Sequence, residues 1–173
     1  GGILQRGLAD VAFLGGAQID RYANVNSTVI GNHKSPKVRF PGSGGANDLA
    51  SHAKKILIIT RHEKRRFPEK CDFITSPGYI DGPHGRKKAG LNSQYPDIMV
   101  VTNLAVLGID KSTGCLQVFG LMPGISLDQV QDNTGFELGS SADLSNIRPP
   151  TMEELCLLRG EVDPNGEYIS SPE

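Results

Sequence analysis

The chain has no tryptophan, four tyrosines and six phenylalanines in 173 residues. No basic stretch has rings interleaved among its charges, and single-stranded nucleic acid is held by just that combination, so no nucleic-acid partner is expected. Cysteine is equally sparse. Cys71, Cys115 and Cys156 are odd in number, far apart and in no CxxC or Cys/His cluster, a usage that argues against a disulfide framework and for reduced thiols in a cytoplasmic protein. His33, His52, His62 and His84 show no metal-ligand spacing, so no metal is expected. Apolar runs are short. None approaches the ~20 residues that span a bilayer, so no membrane association is expected.

Glycine is plentiful, with 21 residues, as in α/β folds whose tight loops gather at a site. The net charge of −1 hides an asymmetry: residues 1–88 hold fifteen Lys and Arg against seven acids, and 89–173 hold three against twelve. A basic half of about +8 attracts phosphates, or faces the acidic half or a partner subunit.

The stretch Phe40-Pro-Gly-Ser-Gly-Gly-Ala-Asn-Asp48 is the centre of the chain. Its glycines bare backbone amides and permit close approach of a ligand. Asp48–Lys55 reads as a short helix whose start favours anions, and Ile56–Thr60 as a buried strand. Arg61-His-Glu-Lys-Arg-Arg66 then brings five potentially positive side chains to that strand's end, where at least one is expected to meet phosphate.

Before this stretch, Ile3, Leu4 and Leu8 form one face of a helical turn weakened by Gly7. Val11–Gly15 reads as a strand buried on both faces, suited to a parallel sheet. Ligands of open α/β sheets bind beyond the carboxyl ends of strands, which directs attention to Gly15, Gly16 and Gln18. Between Gln18 and Asn26 polar residues partly alternate with Ile19 and Val25. Asn24 and Asn26 either face a ligand or close turns through their own backbone. Ser27–Ile30 is expected to be a strand and His33–Arg39 a polar connector broken by Pro36.

Phe73–Gly78 reads as a short strand, and Tyr79–Pro96 as a long mobile loop. Strands are expected within 98–108 and 115–119, around a turn at Asp110–Gly114. Ser126 caps a short helix stopped by Gly135. Thr151 and Glu154 have capping-box spacing at the start of a helix whose stripe is Leu155, Leu157, Leu158 and Val162. No repeat and no second domain is apparent.

Taken together, Gly15-Gly-Ala-Gln-Ile-Asp-Arg-Tyr-Ala-Asn-Val-Asn26, Pro41-Gly-Ser-Gly-Gly-Ala-Asn-Asp48 and the tail Thr151-x-Glu-Glu-Leu to Pro164 resemble the β subunit of family I coenzyme A transferases, of the glutaconate CoA-transferase type. The resemblance covers essentially the whole chain in the right order. It implies a layered α/β domain over 1–173, built on a largely parallel sheet flanked by helices, an architecture shared with sugar-phosphate isomerases. It also implies an α subunit as partner in a hetero-oligomer, CoA or acyl-CoA as substrate rather than as a resident cofactor, and movement of CoA between carboxylic acids.

In the family a glutamate in a Ser-Glu-Asn-Gly-like segment forms an acyl anhydride and then a glutamyl-CoA thioester. That segment precedes the region matched by Gly1 and does not occur here. The expectation is therefore a domain without its N-terminal part, and no catalytic residue is named. The CoA-binding framework carries over to Gly42, Gly44, Gly45 and Ala46 against the pantetheine arm, to Gly16, Gln18 and Asn24 at the strand end, and to Lys64 and Arg65 as the basic contact. Alternatives are a relative that hydrolyses or ring-opens a CoA thioester, and a structural half without catalysis of its own.

Overall fold

The computed structural model describes residues 2–92 and 96–168. α1 (Gly2–Gln5) is a single turn, ended where Gly7 takes a φ of 69°. β1 (Val11–Leu14) runs into two small antiparallel hairpins, β2 (Gln18–Ile19) with β3 (Val25–Asn26) and β4 (Val29–Asn32) with β5 (Ser35–Arg39). α2 (Ala46–His52) leads into β6 (Lys55–Ile59), which is followed by a 3-10 turn at Lys64–Arg66 and by α3 (Gly85–Lys88). The rest comprises β7 (Asp97–Val101), β8 (Ala105–Asp110), β9 (Cys115–Leu121), α4 (Leu127–Asp132), β10 (Gly139–Asn146), α5 (Met152–Leu157) and a π-helical turn at Leu158–Val162.

One sheet organises these elements, in the order β1-β6-β7-β8-β9-β10. β1, β6 and β7 are mutually parallel with Val11 beside Lys55 and Lys55 beside Asp97, β8 is antiparallel to both neighbours, and β10 is parallel to β9. The largely parallel α/β sheet expected from the sequence is present. Its inner face carries Ala12, Leu14, Ile56, Ile58, Ile98, Val100, Leu107, Leu116 and Val118, packed with Ala50 of α2, Phe67, Val130 of α4 and Phe136. The helices are too short to persist alone, and α2 and α4 are held by burying Ala50 and Val130 against this face.

The outer face differs from expectation. β1 alternates, leaving Phe13 64% exposed, and Ile59 at the end of β6 is also open. An apolar run without polar interruption does not reveal which of its faces is covered. α2 begins at Ala46, two residues earlier than the sequence pattern indicated, with Gly45 as its N-cap residue. The connector 33–39 proves to be mostly strand: β5 pairs with β4, and Pro36 sits opposite Gly31 beside a register shift, where a missing N–H is tolerated.

Phe73–Gly78 forms no strand; Ser76 makes a single bridge to Val25. The segment from Tyr79 is anchored rather than loose, through Arg86 of α3. Only 2% exposed, this guanidinium donates to the carbonyls of Ala50, Ser51, Pro77, Gly78 and Asn92 at 3.0–3.2 Å. The part of that expected loop at 93–95 lies outside the described residues, as does Gly1. β10 was not anticipated, because its Ser-, Asp- and Asn-rich sequence pairs at the sheet edge without burying an apolar face. Both anticipated caps are present. The Thr151 hydroxyl accepts from Glu154 N while Glu154 Oε2 accepts from Thr151 N at 2.7 Å, and Ser126 and Gln129 repeat the arrangement.

Candidate functional site

The glycine loop meets the carboxyl end of β1. Gly16 is required there by close approach: a Cβ on it would stand 2.3 Å from Val25 Cγ1. The loop is tied to the segment after β3, with Gly42 N donating to Ser27 O at 3.0 Å, Ser27 Oγ donating to Gly42 O at 3.1 Å, and Phe40 N donating to Thr28 O at 2.9 Å. Asn47 fixes the start of α2 by donating Nδ2 to Thr75 O at 2.9 Å.

Two clefts result. One of about 470 Å³ is lined by Gly15, Gly16 and Ala17, by Ser27, by Phe40 to Ser43, by Ala46 and by Arg66. A second of about 460 Å³ has Ala17, Phe40 and Arg66 in common with it and adds Gln18, Ile30, Val38 and Arg65. Each is the size of a small-molecule subsite rather than of a whole dinucleotide-like ligand. Of the residues expected at the site, Gly16, Gly42 and Ala46 line the first cleft and Gln18 and Arg65 the second. Gly44 and Gly45 line neither cleft; both are exposed, and a Cβ on either would meet nothing within 4 Å.

Lys64 points elsewhere, into a groove with Glu69, Thr134 and Glu137. Asn24 lines neither cleft. It is 0% exposed and saturated, Oδ1 accepting from Gly78 N and Ile80 N and Nδ2 donating to Asp20 Oδ2 and Ile80 O. Asn26 likewise accepts from Thr28 N and Val29 N and donates to Gln18 Oε1 and Val29 O. The turn-closing alternative describes Asn26, whereas Asn24 neither borders a cleft nor closes a turn of its own backbone but ties the start of β3 to Gly78 and Ile80. Gln18 is engaged as well, donating to Asp72 Oδ2 at 3.1 Å and accepting from Asp72 N at 3.0 Å, yet its side chain still borders a cleft.

Burial raises the Asp20 carboxyl above its ordinary range, against the lowering effect of the hydrogen bonds from Asn24, Tyr22 and Cys71. Cys71 is buried and its thiol pushed far up by desolvation, which makes it unreactive. His62 was counted among the cations, but burial lowers it to about 4. Its Nδ1 lies 3.1 Å from Thr102 Oγ1 and its Nε2 3.0 Å from Thr134 Oγ1, and its ring stacks on Phe67. A neutral ring accepts at one nitrogen and donates from the other. Thr134 Oγ1 donates its proton to Val130 O at 2.8 Å, so it accepts from Nε2, which places the ring proton on Nε2. His62 therefore knits the ends of β6, β7 and α4 beneath the basic turn.

Among the described residues no cluster of three or more His, Cys, Asp or Glu is placed to hold a metal, and no helix is long and apolar enough to cross a membrane. A family profile for coenzyme A transferase matches residues 2–133. The chain belongs to the coenzyme A transferase family. It is 44% identical over 162 residues to the β subunit of glutaconate CoA-transferase from Acidaminococcus fermentans, a match covering 94% of this chain and 60% of that one. It is 41% identical over 156 residues to the β subunit of 3-oxoadipate CoA-transferase from Pseudomonas knackmussii, covering 90% and 60% respectively. The crystal structure of glutaconate coenzyme A-transferase from Acidaminococcus fermentans superposes with a TM-score of 0.86 at 43% identity, over 94% of this chain and 62% of that chain. This CoA-transferase chain thus spans about three-fifths of the length of the curated relatives it matches.

Sequence reasoning missed Arg66, Phe40 and Ser27 as cleft residues. Phe40 opens the glycine stretch and Arg66 closes the basic run, and only the fold shows which members of each turn inward. Ser27 directly follows the Asn26 that ends its motif.

Proposed function

We propose that this chain is part of the β subunit of a CoA-transferase that works with an α subunit to move CoA between carboxylic acids. The substrate is a CoA thioester and no resident cofactor is needed. The observation that carries the reading is the cleft between the end of β1 and the glycine loop, floored by Gly15, Gly16 and Gly42. Farther along the loop, Gly45 has a φ of −89° open to any residue and a Cβ there would touch nothing within 4 Å, so glycine leaves the loop backbone bare on its outer side. A bare backbone lets a ligand lie close against the loop. The pantetheine arm, a thin amide-bearing chain, fits a glycine-floored cleft of about 470 Å³.

In this reading the loop orients the thioester end, and CoA binding energy is directed to the reacting centre. No carboxylate lines either cleft among the described residues, and Glu63, the nearest in sequence, is bound by Arg65 and Arg66. We assign no catalytic residue within this chain. Three cysteines without a bridge suit a reducing compartment, which supports a cytoplasmic location.

The test is a label-transfer assay on the full-length subunit assembled with its α subunit. Isotope in the acceptor carboxylic acid is expected to appear in a new CoA thioester while the donor acid is released. Free CoA and donor acid without labelled thioester contradict transfer and point to hydrolysis.

A further inference from the structure

The four permanent cations of Arg61–Arg66 are separated by the fold. Lys64 borders a different groove, beside Glu69 and Glu137. Arg65 is 78% exposed and its Nε donates to Glu63 Oε2 at 2.6 Å. Of the four, Arg66 alone lines both clefts. Its Nη1 donates to Gly16 O at 3.3 Å and its Nε to Glu63 Oε2 at 3.4 Å, and Nη2 has no partner among the described residues. Glu63 offers a single negative charge to two guanidiniums, so the turn keeps a surplus positive charge. In the glycine-loop cleft Arg66 is the sole charged lining residue among the described residues.

From this geometry we infer that Arg66 binds an anionic oxygen group, a carboxylate or a phosphate, where the two clefts meet. The inference rests on the CoA-transferase reading for the identity of the ligand, and it assigns the site's anion recognition to one residue of the basic run. A guanidinium held by a backbone carbonyl and a carboxylate is pre-oriented, and its free edge pairs with two oxygens of one anion. Both sources of such an anion occur in the reaction: the carboxylate of the acid that receives or leaves CoA, and the phosphates of CoA itself. On the glycine-loop side the lining of glycine, alanine, serine and phenylalanine offers no second charge among the described residues, and Arg65 borders the second cleft only.

The experiment uses Arg66→Gln and Arg66→Lys in the full-length subunit assembled with its α subunit. Calorimetric titration with CoA and, separately, with the acceptor acid gives affinities independent of turnover, and KM is measured with acyl-CoA and with the phosphate-free acyl-pantetheine. Arg66→Gln is expected to weaken one of these ligands about 10- to 100-fold, with the thermal midpoint within about 2 °C of wild type. Arg66→Lys is expected to recover part of the loss. A defect in acid binding that persists with acyl-pantetheine assigns the carboxylate; a defect confined to ligands carrying phosphate assigns the phosphate. Unchanged affinity for both CoA and acid overturns the inference. Loss of acid binding in Arg66→Gln, alongside a wild type that binds the acid but transfers no label, supports the role of Arg66 and contradicts the transferase reading.

Discussion

Arg86→Ala is expected to lower folding stability by about 3–5 kcal/mol, the range for breaking a buried charged network. That corresponds to a fall of about 10 °C in thermal midpoint for a chain of this size. Arg86 is buried and paired with no carboxylate among the described residues. Instead all five of its N–H groups meet backbone carbonyls, two at the end of α2, two in the turn at Pro77–Gly78 and one at Asn92. Burial lowers its pKa to about 10, so it remains charged at neutral pH.

Removing it leaves carbonyls in three separate segments without donors, which is worse than losing one bond. Lysine has three donors on one atom and no planar fork, so Arg86→Lys is expected to recover less than half of the loss. Urea unfolding of the three proteins measures this. A cost below about 1 kcal/mol for Arg86→Ala would show that the carbonyls are rehydrated cheaply and that the clamp is incidental. Because Ala50 and Ser51 belong to the helix that follows the glycine loop, the variant is also expected to loosen the candidate site.

Acid is expected to destabilise the fold through His62. Its folded pKa of about 4 lies below the unfolded value near 6.5. Above pH 6.5 the ring is neutral in both states and its contribution is complete. As the pH falls from 6.5 to 4 the unfolded chain takes up the proton and the folded one does not, so stability drops by up to about 3 kcal/mol and then levels off. Asp20 acts in the opposite sense, since its raised carboxyl binds a proton more readily when folded. His62→Gln isolates the effect. The stability difference between wild type and variant is expected to shrink as the pH falls from 7 to 4; a pH-independent difference would show that the folded ring takes up its proton as readily as the unfolded one.

Much of the fold was legible, for reasons that vary by element. The apolar runs at Ile56–Ile59 and Ile98–Val101 are too strongly patterned to be anything but strands in this context, and the two capping boxes are local signals complete within four residues. The polar motif from Gln18 to Asn26 was visible but its meaning was not. Asn24 is fixed by Gly78 and Ile80, 54 and 56 residues away, and no local pattern announces such partners. The basic run shows the same limit, because the 3-10 turn at Lys64–Arg66 decides which cation faces the clefts. A turn of about three residues sends successive side chains in different directions. β10 went unseen because a strand without an apolar face carries no periodic signal.

The glycine loop bears most directly on function, through the space above Gly45. Valine at this position keeps an allowed backbone and its Cβ meets nothing within 4 Å, so its cost to folding should stay under about 1 kcal/mol, the scale of an unfavourable helix cap. In the proposed reading the pantetheine arm runs out of the cleft over this loop, and the added side chain would stand in its path. The decisive measurement is the CoA dissociation constant of Gly45→Val in the full-length subunit assembled with its α subunit, paired with its thermal midpoint. CoA binding is expected to weaken by about tenfold or more, as a steric block in a close-fitting site requires, at a nearly unchanged midpoint. Wild-type affinity for CoA with valine in place would contradict the assignment of the loop to the pantetheine arm.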